Sequence, residues 1–338
     1  MNASEIESIL RSEIVQVAGC TEPASVAFAF ATAQSYFKMP FNPRMFSAEL
    51  TATRDILRNA STAVVPRLSK RGLRAVAAAG LASSPESFNI FPSLKLPLAR
   101  KILRRRGWLA VHPLDQKKFY VRAVLRQGGD EVAVEVIGRH DRIARVLLNG
   151  KVFYRAEPAE DFNISMEEIW SVVGQRNPSL EGIALKFITR QVRGTGSKPL
   201  AQRVPELVRA RMLGSASPVM TFTGSGNQGI FIGVPFYELY QEKGEAILPA
   251  VLFALLTQIH LTKKASRISG ACGLATKAAP ALTAGLLYAR GASLAEIRNA
   301  IGETSRRIGR IPCPGAMAGC GAKARKVLQH VLPQLKAV

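Results

Sequence analysis

Three of the chain's four cysteines, Cys272, Cys313 and Cys320, fall in the stretch from Ser266 to Lys326, within ISGACGLATK and RIPCPGAMAGCGAK. Each is flanked by glycine or proline: Gly270 and Gly273 around the first, Pro312, Pro314 and Gly315 around the second, Gly319 and Gly321 around the third. Small neighbours let a bulky group approach the backbone and let amide N–H groups point at sulfur. Three thiolates fall short of the four protein ligands of a structural zinc site, unless His260 or His330 completes the set. They suit a [4Fe–4S] cluster that leaves one iron open to substrate. Spacing alone is equally compatible with three inert cysteines packed in a core.

The fourth cysteine opens another chemical stretch, Gly19-Cys20-Thr21-Glu22-Pro23, ahead of the apolar run ASVAFAFATAQSYF. Pro23 fits the first turn of a helix and leaves Cys20 or Thr21 near its N-cap. A thiol placed there is expected to feel the positive end of the helix dipole, which favours the reactive thiolate. The alternative is a small residue that merely caps a buried helix. Thr223-Gly224-Ser225-Gly226-Asn227-Gln228-Gly229 is a glycine-rich loop that matches neither a Walker A motif nor a dinucleotide fingerprint, so taken alone it is a turn. His140, in IGRHDRIARV, reads either as a polar residue at a strand edge or as a catalytic group.

CPGAMAGCGAK, GACG, TGSGNQGI and GCTEPASVA together resemble the L-cysteine desulfidase family and the related iron–sulfur L-serine dehydratase alpha chains. The resemblance runs from about Ile14 to Val327, with a shortened middle, and all four cysteines fall in matching motifs in matching order. It implies β-elimination from L-cysteine or L-serine, without pyridoxal phosphate, on a [4Fe–4S] cluster held by Cys272, Cys313 and Cys320. It further implies Cys20 as base or transient ligand, and Thr21, Glu22, Asn59, His140, Ser225, Gly226 and Asn227 around a small amino acid. Two departures stand out. The family's Gly-x-Pro-Gly-Thr loop is Val65-Pro66-Arg67-Leu68-Ser69 here, where Arg67 and Leu68 are expected to fill the space a glycine loop leaves open, and the family's Cys-Asp-Gly-Ala-Lys is Cys313-Pro314-Gly315-Ala316-Met317. Such losses motivate a rival reading, a non-catalytic member acting as an iron–sulfur, redox-sensing or polyanion-binding protein.

Positioning these residues requires a mixed fold. Ile6, Leu10, Ile14 and Val17 predict a helix over 3–17, Met45 to Ile56 a strand, and Leu73 to Leu81 an alanine-rich helix. KFYVRAVL, EVAVEVIG and DRIARVLLNGKVFY alternate and are β-branched, with Asn149-Gly150 a two-residue hairpin signal. MEEIWSVVG, 245–263, 276–289, 293–308 and the segment from Ala322 read as helices, and RQVRGTGSKPLAQR as a mobile connector. The expected class is α+β, a mainly helical catalytic domain (1–108 and 162–338) with an inserted small antiparallel β subdomain (109–161).

At 338 residues, 47% hydrophobic and 21% charged, the composition is that of a globular protein with a sizeable core. The start MNASEIESILRSE carries no signal-peptide pattern, and the run from Ala246 to Leu261 is shorter than a membrane span, so a cytoplasmic location without membrane partners is expected. Four cysteines then argue for thiols or ligands over disulfides. The net charge of +22 gathers at Arg67, Lys70, Arg71 and Arg74, at Lys101, Arg104, Arg105 and Arg106, and along Lys186, Arg190, Arg193, Lys198 and Arg203. With little aromatic interleaving it reads mainly as solvated surface, a nucleic-acid partner being the lesser reading. Self-association is left open.

Overall fold

A computed structural model describes residues 2–116, 118–157, 163–192, 194, 198–265 and 267–338. Helix α1 (Ala3–Glu13) starts at a capping box in which Asn2 and Glu5 satisfy each other's backbone N–H groups. It stops short of the expected Val17, because Ile14–Val17 forms strand β1 and pairs antiparallel with β8 (Val219–Phe222). The β-branched Ile-Val-Gln-Val sequence gains more from that distant pairing than from another helical turn.

Helix α2 (Thr21–Ser35) is apolar on every side and buried from Thr21 to Ala33, so it forms the centre of the first core rather than a surface stripe. Strand β2 (Ser47–Thr53) leads into α3 (Arg54–Thr62), and α4 (Leu73–Gly80) and α5 (Leu96–Arg104) follow. A Cβ at Gly80 would collide with the carbonyl oxygen of Ala27, so glycine permits the close crossing of α4 on α2. Strands β3 (Leu109–Leu114), β4 (Tyr120–Gln127), β5 (Asp130–Ile137), β6 (Ile143–Leu148) and β7 (Lys151–Arg155) complete a six-stranded sheet of order β3-β2-β4-β5-β6-β7. The Asn149-Gly150 hairpin forms as expected, both residues having positive φ.

The class is mixed, mainly helical with a sheet, yet the sheet is not the self-contained antiparallel insert that alternation suggested. β2 enters it from outside 109–161, pairing parallel with β3 and antiparallel with β4. One buried cluster runs from Val17 through Trp108 to Val146 and joins α2, α4 and the sheet. A second joins Ile6 and Leu10 to residues from Ile164 to Leu335. The expected boundary at 161/162 lies outside the described residues, as do Arg193 and Ser266.

The second core holds α6 (Met166–Gly174), α7 (Pro178–Thr189), α8 (Leu200–Met212), α9 (Gly226–Lys243), α10 (Leu248–Ala265), α11 (Ala279–Ala289), α12 (Leu294–Ile308), α13 (Cys320–Gln329) and α14 (Leu332–Lys336). The segment Gly226–Ala265 is long and apolar enough to cross a membrane by length and composition, but most of it is buried within the protein. A π-helical turn, Leu274–Ala278, precedes α11. Such turns are uncommon and concentrate at functional sites.

Candidate active site

The loops carrying Cys272 and Cys313 are laced together by the backbone. The Cys272 N–H donates to the Ile311 carbonyl at 2.8 Å, the Cys313 N–H donates to the Gly270 carbonyl at 2.9 Å, and Ala271 bridges to Pro312. Cys320 opens α13 with its N–H on the Met317 carbonyl at 2.9 Å. Between them Gly315 has φ of +133°, a region closed to most residues, and a Cβ there would lie 2.7 Å from Thr62 Oγ1. The Ala316 N–H donates to that same hydroxyl at 2.9 Å, pinning the loop between Cys313 and Cys320 to α3.

All three thiols line one cavity of about 100 Å³, and all four cysteines of the chain are free. Burial pushes the Cys272 and Cys320 thiols up from their ordinary range. Among the described residues no group of three or more His, Cys, Asp or Glu side chains is gathered tightly enough to hold a single metal ion. A cubane cluster engages each thiolate through a separate iron, so its sulfurs stand farther apart than the donors of one ion. Cys272, Cys313 and Cys320 are the side chains on this cavity that could each ligate one iron of such a cluster. Neither His260, whose ring faces the Ile164 carbonyl, nor His330 lines the cavity, so the histidines that would complete a zinc site are elsewhere.

The same cavity is lined by Glu22, Asn59 and His140. Asn59 Nδ2 donates to Glu22 Oε1 at 3.0 Å, and the Cys20 thiol and Thr21 hydroxyl donate to Oε2 at 2.9 and 3.1 Å. His140 Nε2 is 3.9 Å from Oε1, an ion-pair separation rather than a hydrogen bond. Burial alone would raise the Glu22 carboxyl, but His140 and the Cys20 thiol hold it far below the usual carboxylate range, so it is an ionised group inside the protein. Both ring nitrogens of His140 are buried and lack a hydrogen-bond partner. The Asn59 Oδ1 is likewise unpartnered.

The glycine-rich loop serves these groups by yielding space. A Cβ at Gly224 would sit 2.5 Å from His140 Nδ1, and one at Gly226 would sit 2.5 Å from Arg211 Nε. Ser225 caps α9, its hydroxyl accepting from the Gln228 N–H, while Ser225 and Asn227 both face the cavity. Thus Cys272, Cys313, Cys320, Glu22, Asn59, His140, Ser225 and Asn227 converge on one cavity, which Cys20 and Thr21 reach only through Glu22 and which Gly226 does not line.

Two expectations change. Cys20 is the N-cap residue of α2, but burial and the neighbouring Glu22 carboxylate push its thiol well up, overriding the dipole and disfavouring a resting thiolate. The loop Val65–Ser69 does not fill the site either. Arg67 turns to the Phe91 and Pro92 carbonyls and Leu68 joins the first core.

Three cations escaped sequence reasoning. Arg267 lines the cavity and holds Glu13 through two hydrogen bonds of 2.8 and 2.5 Å. Lys277 lines it from the π-turn, its Nζ donating to the Arg267 carbonyl at 3.1 Å, and burial followed by Arg267 brings its amine down to about 8. A lysine inside the small-residue run GLATKAAPALTAG was the available signal. Arg211, on the basic helix α8, carried none.

The serine dehydratase alpha chain family model matches residues 122–328. Among relatives, a UPF0597 protein of Thermosipho africanus is 26% identical over 345 residues, covering 94% of this chain and 85% of that protein. UPF0597 proteins of Lachnoclostridium phytofermentans and Clostridium botulinum are 27% and 25% identical, each over 93% of this chain and over 84% and 82% of their own lengths. With a family model spanning more than half its length, and the cysteine loops and His140 inside the matched region, the chain belongs to the serine dehydratase alpha chain family.

Proposed function

We propose that the protein is a lyase that eliminates the β-substituent of L-serine or L-cysteine, using a [4Fe–4S] cluster held by Cys272, Cys313 and Cys320. When bound, the cluster supplies a Lewis acid for the leaving oxygen or sulfur. The chain's own groups account for the rest. His140 takes the proton from Cα, and the ionised Glu22 beside it stabilises the imidazolium that results, as a carboxylate does for a neighbouring base. The electron pair released at Cα forms the Cα–Cβ double bond while the Cβ–O or Cβ–S bond breaks, its electrons leaving with hydroxide or hydrosulfide. The enamine tautomerises and hydrolyses to pyruvate and ammonia. Cys20 acts through Glu22, its thiol occupying one carboxylate oxygen. The wider cleft outside, about 1130 Å³, shares Arg267 and Ile268 with the inner cavity and is the route inward.

The observation that carries this reading is the convergence of three free thiols and a buried Glu22–His140 pair on one cavity. Anaerobic purification followed by iron and acid-labile sulfide analysis, with an amino-acid screen for ammonia and pyruvate release, tests it. A brown protein active on L-serine or L-cysteine is expected. A protein that stays colourless after anaerobic reconstitution and releases no ammonia from any β-substituted amino acid ends the proposal.

A further inference from the structure

Arg211 sits at the end of α8, only 3% exposed. Its Nη1 donates to Asn227 Oδ1 at 3.0 Å, while Nε and Nη2 are buried without a hydrogen-bond partner. Among the described residues, no carboxylate lies within ion-pair distance of it. A guanidinium removed from water without a counter-ion is costly, so its charge calls for an anion close by. Gly226 makes the placement possible, since any Cβ there would meet Arg211 Nε at 2.5 Å and Val219 Cγ2 at 2.6 Å.

Resting on the amino-acid reading above, we propose that Arg211 is the positioning residue of a carboxylate subsite at the start of α9. By engaging Oδ1 it fixes the Asn227 amide with its NH₂ as the free end. The partner of Nδ2 is the weak acceptor Met212 Sδ at 3.8 Å, so donor capacity remains for a ligand. The first amides of an 18-residue helix add further donors and the positive end of its dipole. With its acceptor oxygen tied, this wall offers donors and positive charge only. It takes the substrate's carboxylate, and the ammonium turns to the Glu22 carboxyl group, which lines the same cavity.

The test compares binding of L-serine and of L-serinamide, which lacks the negative charge, to the anaerobically purified protein by calorimetry. Wild type is expected to prefer L-serine by about tenfold or more, the scale of one hydrogen bond to a charged group. Arg211→Met should bring the preference to within about threefold, and Arg211→Lys should restore part of it. Asn227→Asp pairs directly with Arg211, so it should fold and still lose the preference; it decides the matter if Arg211→Met does not fold. Retained preference in Arg211→Met or Asn227→Asp overturns the subsite, as does a wild type that prefers neither ligand or binds neither. A wild type that prefers L-serine but releases no ammonia defeats the lyase reading alone, leaving the subsite standing.

Discussion

Replacing Lys277 by Met should stabilise the cluster-free protein at neutral pH, because the wild type carries a buried ammonium there. Lys277 is 2% exposed, and loss of hydration, followed by Arg267, brings its amine from 10.5 to about 8. At about 1.4 kcal/mol per pKa unit, that descent corresponds to roughly 3.5 kcal/mol as an upper figure. The sign follows from proton linkage: between about 8 and 10.5 the unfolded chain binds more protons at this residue than the folded one. Its contribution to wild-type stability therefore rises with pH across that window, and below pH 8 its penalty is complete. Methionine fills a similar volume without charge, but loses the hydrogen bond to the Arg267 carbonyl, worth about 1 kcal/mol. The expected gain is about 2 kcal/mol at pH 7, fading towards zero or reversing by about pH 10.5. Urea midpoints of both proteins under reducing conditions, measured at several pH values in that range, provide the check. A difference independent of pH, or a variant less stable at pH 7, would refute the argument that burial of the ammonium is what costs stability.

Cys313→Ser should remove iron and colour from anaerobically prepared protein while leaving its far-UV circular dichroism intact. Cys20→Ser preserves a donor to Glu22, so it is expected to keep the iron content and hold kcat within about tenfold of wild type; loss of iron would instead make Cys20 a ligand. Glu22→Gln removes the charge facing His140 and should lower kcat by about 10² or more, the usual scale for disabling an acid–base pair, with iron content unchanged. Gly80→Ala forces a methyl against the Ala27 carbonyl and should cost about 1–3 kcal/mol in urea unfolding, without a change in KM. An unchanged midpoint would show that α2 and α4 separate at little cost.

The cysteine loops, the β-rich middle and the Asn149-Gly150 hairpin were legible in the chain because each depends on local residue types: thiols among glycines, alternating β-branched residues, and a pair that accepts positive φ. Helix starts at Ser165 and Ser293 were similarly local, each a capping box closing within four residues. What stayed illegible depends on partners remote in sequence. Ile14–Val17 leaves the helix only because Val219–Phe222 lies beside it, and β2 joins the sheet through strands far downstream. The same holds for charge: proximity to a helix start suggested a thiolate at Cys20, yet burial and Glu22 decide otherwise, since loss of hydration and charge repulsion depend on the surroundings in space. Residue types along the chain determined which chemistry is available; tertiary packing alone decided which groups are dry, paired or charged, and so placed Lys277 on the cavity and Arg211 behind Asn227.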